Sequence, residues 1–547
     1  MIRGCMAGLI FVTALSTSIM AAAPDVKSVF PSGGAVGSMI EVEATGAIGQ
    51  PGTSVWFSQP GLSAEIPESG GKLKITVSPD AAPGLVLMRF HNAEGSSGLM
   101  PFVISRLPDV RDTEPNNSPV KAQKLEGPAV VHGKLGESGD VDVFAIAATK
   151  GQTIVAQADA NWRLGSAADM VLQVLHGDGS VIEQVDDDRG NDPLIAFEVP
   201  ADGVYLIRAF AFPAQPDSSV RFAGGATFTY RLTVTTGPFV DHALPSVVPV
   251  DRETPLKLTG WNLPDELRQI TIPAGGLAAF RSPAFAEPLP VESSDLPVLL
   301  EADPSDRTTP QPIEPRCVVC GVIGAPRDED WFSLKVTKGQ KLKFDVESRQ
   351  LGYPLDPVLQ VFGADNKVLA ESDDEQRGSP DVSLKYTAAA DGEIRLRLRD
   401  VFGHGGGRYA WRLKVQPLEP TVLLTAAVDR FVVKPDAPAE VIINIARNDG
   451  FGEELLVSAD SLPAGLTCEP VKSESKGDSS KQVKLMLKTD GSAAFHGPIR
   501  FVAKVGDRRF DVTHDLPTFR TSTMDLWLTA VAKPAEPPKA AEPEKTP

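Results

Sequence analysis

The chain has 547 residues, too many for one hydrophobic core, and its 42% hydrophobic content is enough to fill several, so wholesale disorder is excluded. A formal net charge of −18 argues against nucleic acid and anionic membrane surfaces as partners and is compatible with cation binding. Gly (48) and Pro (47) are too frequent for a helical enzyme and suit a loop-rich β protein of three to five domains.

At the N-terminus, Arg3 precedes an apolar run from Met6 to Met20 and the small residues Ala21 to Ala23. This pattern predicts a secretory signal peptide over residues 1–23. No later segment has the ~18 unbroken apolar residues of a spanning helix. The expectation is an exported protein, periplasmic, cell-surface or extracellular, with no transmembrane segment in the mature chain. Cys317, Cys320 and Cys468 are too few for a disulfide scaffold, so the cores must carry the stability.

From Pro24 the pattern is short alternating or apolar runs separated by Gly, Asp-Gly and Lys-Gly-Gln turns. "KLKITV", "KLKFDV" and "IRLRLR" alternate charged and aliphatic residues, as strands with one wet face do. The predicted class is all-β, a tandem array of antiparallel β-sandwiches. The chain also repeats itself. "DVDVFAIAATKGQ" at 140 matches "DEDWFSLKVTKGQ" at 328, an offset of 328 − 140 = 188. "DMVLQVLHGDGSVIEQVDDD" at 169 matches "DPVLQVFGADNKVLAESDDE" at 356, and "TYRLTV" pairs with "AWRLKV". A weaker repeat precedes each copy, "PSGGAVGSMIEVEATG" at 31 and "PSVVPVDRETPLKLTG" at 245. The predicted modules are therefore 24–106, a first repeat at 107–236, 237–296, a second repeat at 297–417, and a last sandwich at 418–531. The Pro-, Ala- and Glu-rich tail, 532–547, has nothing to bury and is expected to be disordered.

The segments "DTEPNNSPVKAQKL", "VVHGKLGESGDVDVF", "TKGQTI", "VPADGVYLIRA" and "YRLTV", in that order, make the first repeat resemble the bacterial pre-peptidase C-terminal domain. The second repeat departs from the pattern, with "EADPSD" for "DTEPNN" and Ile394 in place of Tyr205. The modules at 24–106 and 237–296 are similar to the IPT/TIG immunoglobulin-like family, and the last sandwich resembles immunoglobulin-like modules of secreted bacterial proteins. The resemblance implies jelly-roll-like sandwiches that trail secreted peptidases in relatives and bind calcium in the related collagen-binding domains.

Nothing in the sequence marks a catalytic centre. The seven histidines include no H-E-x-x-H pair, there is no G-x-S-x-G elbow, and "GDSS" at 477–480 reads as a solvated turn. The repeat replaces His132 by Cys320 and His176 by Gly363, so these positions serve the strand rather than a reaction. In "CVVC", 317–320, residues three apart on a strand point to opposite faces, which favours two unrelated cysteines over a zinc or redox pair; a bridge would need a bulge.

The acidic residues are the candidate site. Asp112, Glu114, Asn116 and Asn117 lie in a Pro-stiffened segment, and Asp140 and Asp142 are two apart at a strand entrance. Together they offer the hard oxygens that Ca²⁺ takes. The second repeat offers Glu301, Asp303 and Asp306, with Ser305 between them, and then Asp328 and Asp330. The expectation is a structural calcium that locks linker to sandwich; the alternative is that these residues only form turns. Asp186, Asp187, Asp188, Asp373 and Asp374 read as turn and edge-strand protection. The function expected is non-catalytic: a binding or scaffold protein for a protein or polysaccharide partner of the cell envelope. The rival is an accessory subunit of, or a diverged, secreted peptidase or hydrolase. Carbohydrate binding is disfavoured because Trp162, Trp261, Trp331 and Trp411 are scattered among the modules.

Overall fold

The computed structural model describes residues 22–48, 52–67, 72–215, 221–276, 279–302, 306–374, 381–492 and 494–533. Residues 1–21 of the predicted signal peptide, residues 534–547 of the predicted tail, and Asp303 lie outside these residues. The described chain is all-β, arranged as successive sandwiches. No described helix is long and apolar enough to cross a membrane.

In the first module, the sheet Asp25–Phe30, Met39–Ala47, Leu73–Val77, Leu62–Glu65 packs with one built on Gly33–Ala35, Met100–Ser105, Gly84–Asn92 and Ser54–Phe57. The alternation seen in the sequence is realised: Leu73, Ile75 and Val77 are buried while Lys74 and Thr76 face water.

The first repeat is two five-stranded sheets. One runs Asp109–Arg111, Ala129–Lys134, Thr229–Thr235, Thr153–Asp159, Leu194–Glu198; the other runs Gln123–Leu125, Asp142–Ala148, Gly203–Pro213, Ala168–Leu175, Val181–Val185. The second repeat reproduces both orders strand for strand, from Val298–Leu300 and from Gln311–Pro312. Register agrees too: Ile146 faces Tyr205 as Leu334 faces Ile394. Fully buried Val131, Phe144, Leu172, Ile207 and Leu232 correspond to Val319, Phe332, Leu359, Leu396 and Leu413. Duplication thus preserved core volume, the property a close-packed interior tolerates least change in.

One feature of this topology positions the acidic segment. Asp109–Arg111 lies parallel to Ala129–Lys134 in one sheet, and Gln123–Leu125 lies parallel to Asp142–Ala148 in the other. Residues 112–122 therefore cross from the edge of one sheet to the edge of the other. A Pro- and Asn-rich sequence suits this crossing, since it cannot continue either ladder.

Two aspartates that the sequence left unremarked hold each repeat's turn after the strand ending at Asp159 or Glu347. Asp192 accepts from the N–H groups of Ala160 (3.0 Å), Asn161 (2.8 Å) and Trp162 (2.9 Å). Asp381 does the same for Ser348, Arg349 and Gln350.

Cys317 and Cys320 lie on one unbulged strand, opposite Val415 and Arg412. Cys317 belongs to the repeat's core, whereas Cys320 faces outward against Val247, Leu296 and Val298. Both thiols are free, and burial raises the pKa of each. Without reductant, both are expected to label with a maleimide in denaturant and to resist it in the native state; a disulfide between them in a peptide map would contradict this.

The modules close on one another. Arg89 of the first module donates to Asp429 of the last at 2.6 Å, with the arginine side chain 1% exposed. Between the repeats, Arg408 donates to both oxygens of Asp188 (2.7 and 2.9 Å) and to Asp241. Asp188, expected to protect a turn, is thus a buried inter-module partner; Asp186 and Asp187 beside it are exposed.

Candidate metal centre

The crossing segment is tied to the sandwich by backbone bonds. The N–H of Asp112 donates to His132 O (3.0 Å), and that of Val143 to Asn116 O (3.2 Å). These bonds bring carboxylate oxygens of Asp112, Glu114 and Asp142 within 4.8 Å of one another. Among the described residues this is the one group of three such side chains so closely placed.

The cluster runs from exposed Glu114 through half-buried Asp112 to buried Asp142, and its inner oxygens are under-used. Asp142 and Asn116 are both 0% exposed. Asp142 Oδ2 accepts from the Tyr230 hydroxyl, but Asp142 Oδ1 and Asn116 Oδ1 have no hydrogen-bond partner. Asn116 turns its amide N–H to Asp112 Oδ1 (2.5 Å) and its backbone N–H to Glu114 Oε2 (3.0 Å). Burial, then the Glu114 charge, pushes Asp112 up to about 6; burial, then the Asp112 charge, pushes Asp142 up to about 8. Carboxylates repelling one another beside two orphaned buried acceptors form an arrangement that a cation would satisfy. The donors are all hard oxygens, the chemistry that fits Ca²⁺.

The other predicted residues of this copy are placed differently. The strand begins at Asp142, so Asp140 lies in the turn before it and the shared strand face expected of the pair does not extend to it. Asp140 Oδ2 accepts from Gly136 N (2.6 Å), and Oδ1 accepts from Val141 N (2.9 Å) and from the Asn117 amide (2.8 Å). Asp140 and Asn117 thus shape the loop behind the cluster.

In the second repeat, Asp328 repeats the role of Asp140, accepting from Gly324 N and Glu329 N (2.9 Å each). Glu301 holds the position of Asp112: its N–H donates to Cys320 O, and its Oε2 accepts from Val322 N (2.9 Å). Asp330 matches Asp142 and accepts from Trp411 Nε1 (2.9 Å), as Asp142 accepts from Tyr230. Burial, then the adjoining Glu301 carboxyl, raises Asp330 far above the carboxylate range. Asp306 is exposed, and its carboxylate accepts from Thr308 and Thr309 in its own turn, away from this pair. Asp303 lies outside the described residues.

Tyr230 and Trp411 were missed by motif reading, although "TYRLTV" over "AWRLKV" places two side-chain donors at one position. Each ring lies across a glycine, Gly133 or Gly321, where any Cβ would collide with it. The glycine after each "VVH" or "VVC" is therefore there to admit the donor that orients the buried aspartate.

In the second repeat the longer Glu301 reaches Asp330, and the two carboxyls share a proton. Asp330 keeps its proton in the folded state while the unfolded side chain loses it near pH 4, so its contribution to stability declines as pH rises above 4. Asp330→Asn removes that penalty and keeps an oxygen for Trp411. It is expected to raise the melting temperature of the second repeat by roughly 5 °C at pH 8, with no gain at pH 4, in calorimetric scans.

Comparison with known proteins identifies the two repeats. The model of the bacterial pre-peptidase C-terminal domain matches residues 140–211 and 328–400. A probable subtilase-type serine protease of Deinococcus radiodurans is 31% identical over 96 residues, which are 18% of this chain and 13% of that protein. The chain thus spans only a small part of that relative. Among solved structures, the pre-peptidase C-terminal domain of a Bacillus anthracis collagenase aligns over all of its length and 21% of this chain (12% identity, TM-score 0.17). A Clostridium perfringens protein comprising an M60 catalytic domain and two CBM51 domains aligns over 45% of its length and 72% of this chain (10% identity, TM-score 0.16). The chain carries two copies of the bacterial pre-peptidase C-terminal domain, and the Asp112–Glu114–Asp142 cluster sits at the entrance to the first.

Proposed function

We propose that this is an exported, non-catalytic binding or scaffold protein that presents its sandwiches to a protein or polysaccharide of the cell envelope, with a structural Ca²⁺ in the first repeat. The observation that carries the calcium reading is the pair of buried, unpartnered acceptors, Asp142 Oδ1 and Asn116 Oδ1, beside two further carboxylates. Asp112, Glu114, Asn116 and Asp142 would hold the ion. It would fasten the sheet-to-sheet crossing to the sandwich and so fix the junction with the preceding module. The non-catalytic reading is supported by the use made of the buried histidines. His132 pairs with Asp109 (2.9 Å) and His242 with Asp241 (2.9 Å), each supporting an aspartate that itself reaches a neighbouring module, at Ala35 N and at Arg408.

Cross-linking and capture from the exporting cell's envelope, with and without Ca²⁺, tests this. Enrichment of one envelope protein or glycan is expected. Turnover of a peptide or glycoside substrate by the purified chain would overturn the non-catalytic reading. The similarity to a segment of a subtilase-type protease favours one narrower version, in which the captured partner is a secreted peptidase.

A further inference from the structure

All five modules contribute to one central cavity of about 790 Å³, inside the ~300–1,000 Å³ range of small-ligand sites. Leu85 comes from the first module, Trp162 from the first repeat, Phe239 from the third module, Tyr353 from the second repeat and Phe519 from the last. Aromatic residues that are scattered in the sequence therefore converge.

The charges around the cavity decide what it can take. Arg163 is held between Asp159 (3.1 Å) and Glu287 (2.7 Å), and Arg412 donates to Glu292 (2.5 Å). Asp192 is satisfied by three backbone N–H groups. Asp241 is held by His242, Arg408 and Arg189. No carboxylate is left over for a cation, and each arginine of the wall is paired with a carboxylate, Arg189 with Asp241 at 3.6 Å. What remains is hydrogen-bonding capacity with no unpaired charge. Arg189 Nε is buried with no partner, and the wall also carries Gln59, Thr233, Ser246 and the Tyr353 phenol. Arg520 stacks on Trp162, 4.1 Å from the ring centroid, which fixes that indole in place. Rigid aromatic surface interspersed with hydrogen-bond donors and acceptors, walled by charges that pair with one another, matches a molecule with apolar C–H faces and hydroxyl edges.

We propose that this cavity binds a short neutral oligosaccharide. The proposal rests on the binding role argued above and gives it a ligand class and a place. It is tested on the full chain by saturation-transfer NMR with neutral trisaccharides of glucose, xylose and N-acetylglucosamine, and with trigalacturonate as the charged control. At least one neutral trisaccharide is expected to bind and trigalacturonate to be rejected. Leu85→Trp, which puts an indole into the cavity, is expected to abolish binding. Tyr353→Phe, which deletes one hydroxyl and no packing, is expected to weaken it about three- to ten-fold. Melting curves of both variants establish that they fold. Failure of every neutral trisaccharide at about 10 mM would overturn the proposal. So would binding that both substitutions leave intact. If envelope polysaccharide is still captured by Leu85→Trp, the cavity assignment fails while the binding role stands. If trisaccharides bind but nothing from the envelope is captured, the cavity stands and the scaffold role fails.

Discussion

Adding Ca²⁺ to the chelated protein is expected to raise the melting temperature of the first repeat by about 10 °C. A ligand that binds only the folded state at a hundred times its Kd contributes about 2.7 kcal/mol. In a domain of this size each kcal/mol moves the midpoint by several degrees. The pH dependence identifies the site. In the metal-free protein, Asp142 titrates at about 8 and Asp112 at about 6, above the ~3.9 of an unfolded aspartate. Between pH 4 and 8 the folded state therefore binds more protons than the unfolded state, and metal-free stability falls as pH rises through that window. A bound cation favours the carboxylates and removes the slope. Calcium binding at pH 7 should accordingly release about one proton, read as a dependence of the calorimetric heat on the ionisation enthalpy of the buffer. Asp142→Asn should abolish the Ca²⁺ response and flatten the metal-free pH profile, whereas Asp330→Asn should leave the response intact. A calcium response that survives Asp142→Asn would remove the ion from this site.

How much of this was legible in the sequence follows from the range of each interaction. Strand alternation is local, so "KLKITV" and "KLKFDV" announced half-buried strands, and the in-register duplication announced one fold twice. The candidate cation ligands were readable because two short segments hold them. The division of labour among them was not. Asp140 and Asp142 look equivalent as letters, and only the position of the strand start separates a loop cap from a buried acceptor. Tyr230 lies 88 residues from the aspartate it orients. Asp188 and Arg408 are 220 residues apart and belong to different modules, so an aspartate in a "DDD" turn carried no local sign of its partner. That Trp162, Phe239, Tyr353 and Phe519 line one cavity was hidden for the same reason, since it is a property of module packing that the spacing of aromatics along the chain does not encode.

Arg408→Met is expected to destabilise the junction between the two repeats by about 3–5 kcal/mol, the cost of breaking a buried ion pair on one side. Arg408 is the shared partner of Asp188 and Asp241, whose side chains are 9% and 1% exposed. It also lies over the Trp261 ring, 5.5 Å from its centroid, so the methionine preserves much of the stem packing while removing the charge. Burial alone would raise Asp241; the His242 bond and the Arg408 and Arg189 charges outweigh it and hold the group at about 2. A depressed carboxyl contributes its full stability above the unfolded value near 3.9 and loses it as pH falls toward 2. The wild-type junction should therefore stay closed at pH 5 and loosen below pH 4. In Arg408→Met, Asp241 rises toward neutrality, and the junction should already be loose at pH 7. Small-angle scattering should report a larger radius of gyration, and proteases should cut between the repeats, while the cores retain their melting transitions. Asp188→Asn in the Arg408→Met background should add little, because the two residues act as one pair. If the double substitution costs the sum of the two single ones, Arg408 is not the hinge pin between the repeats and the closed arrangement has another source.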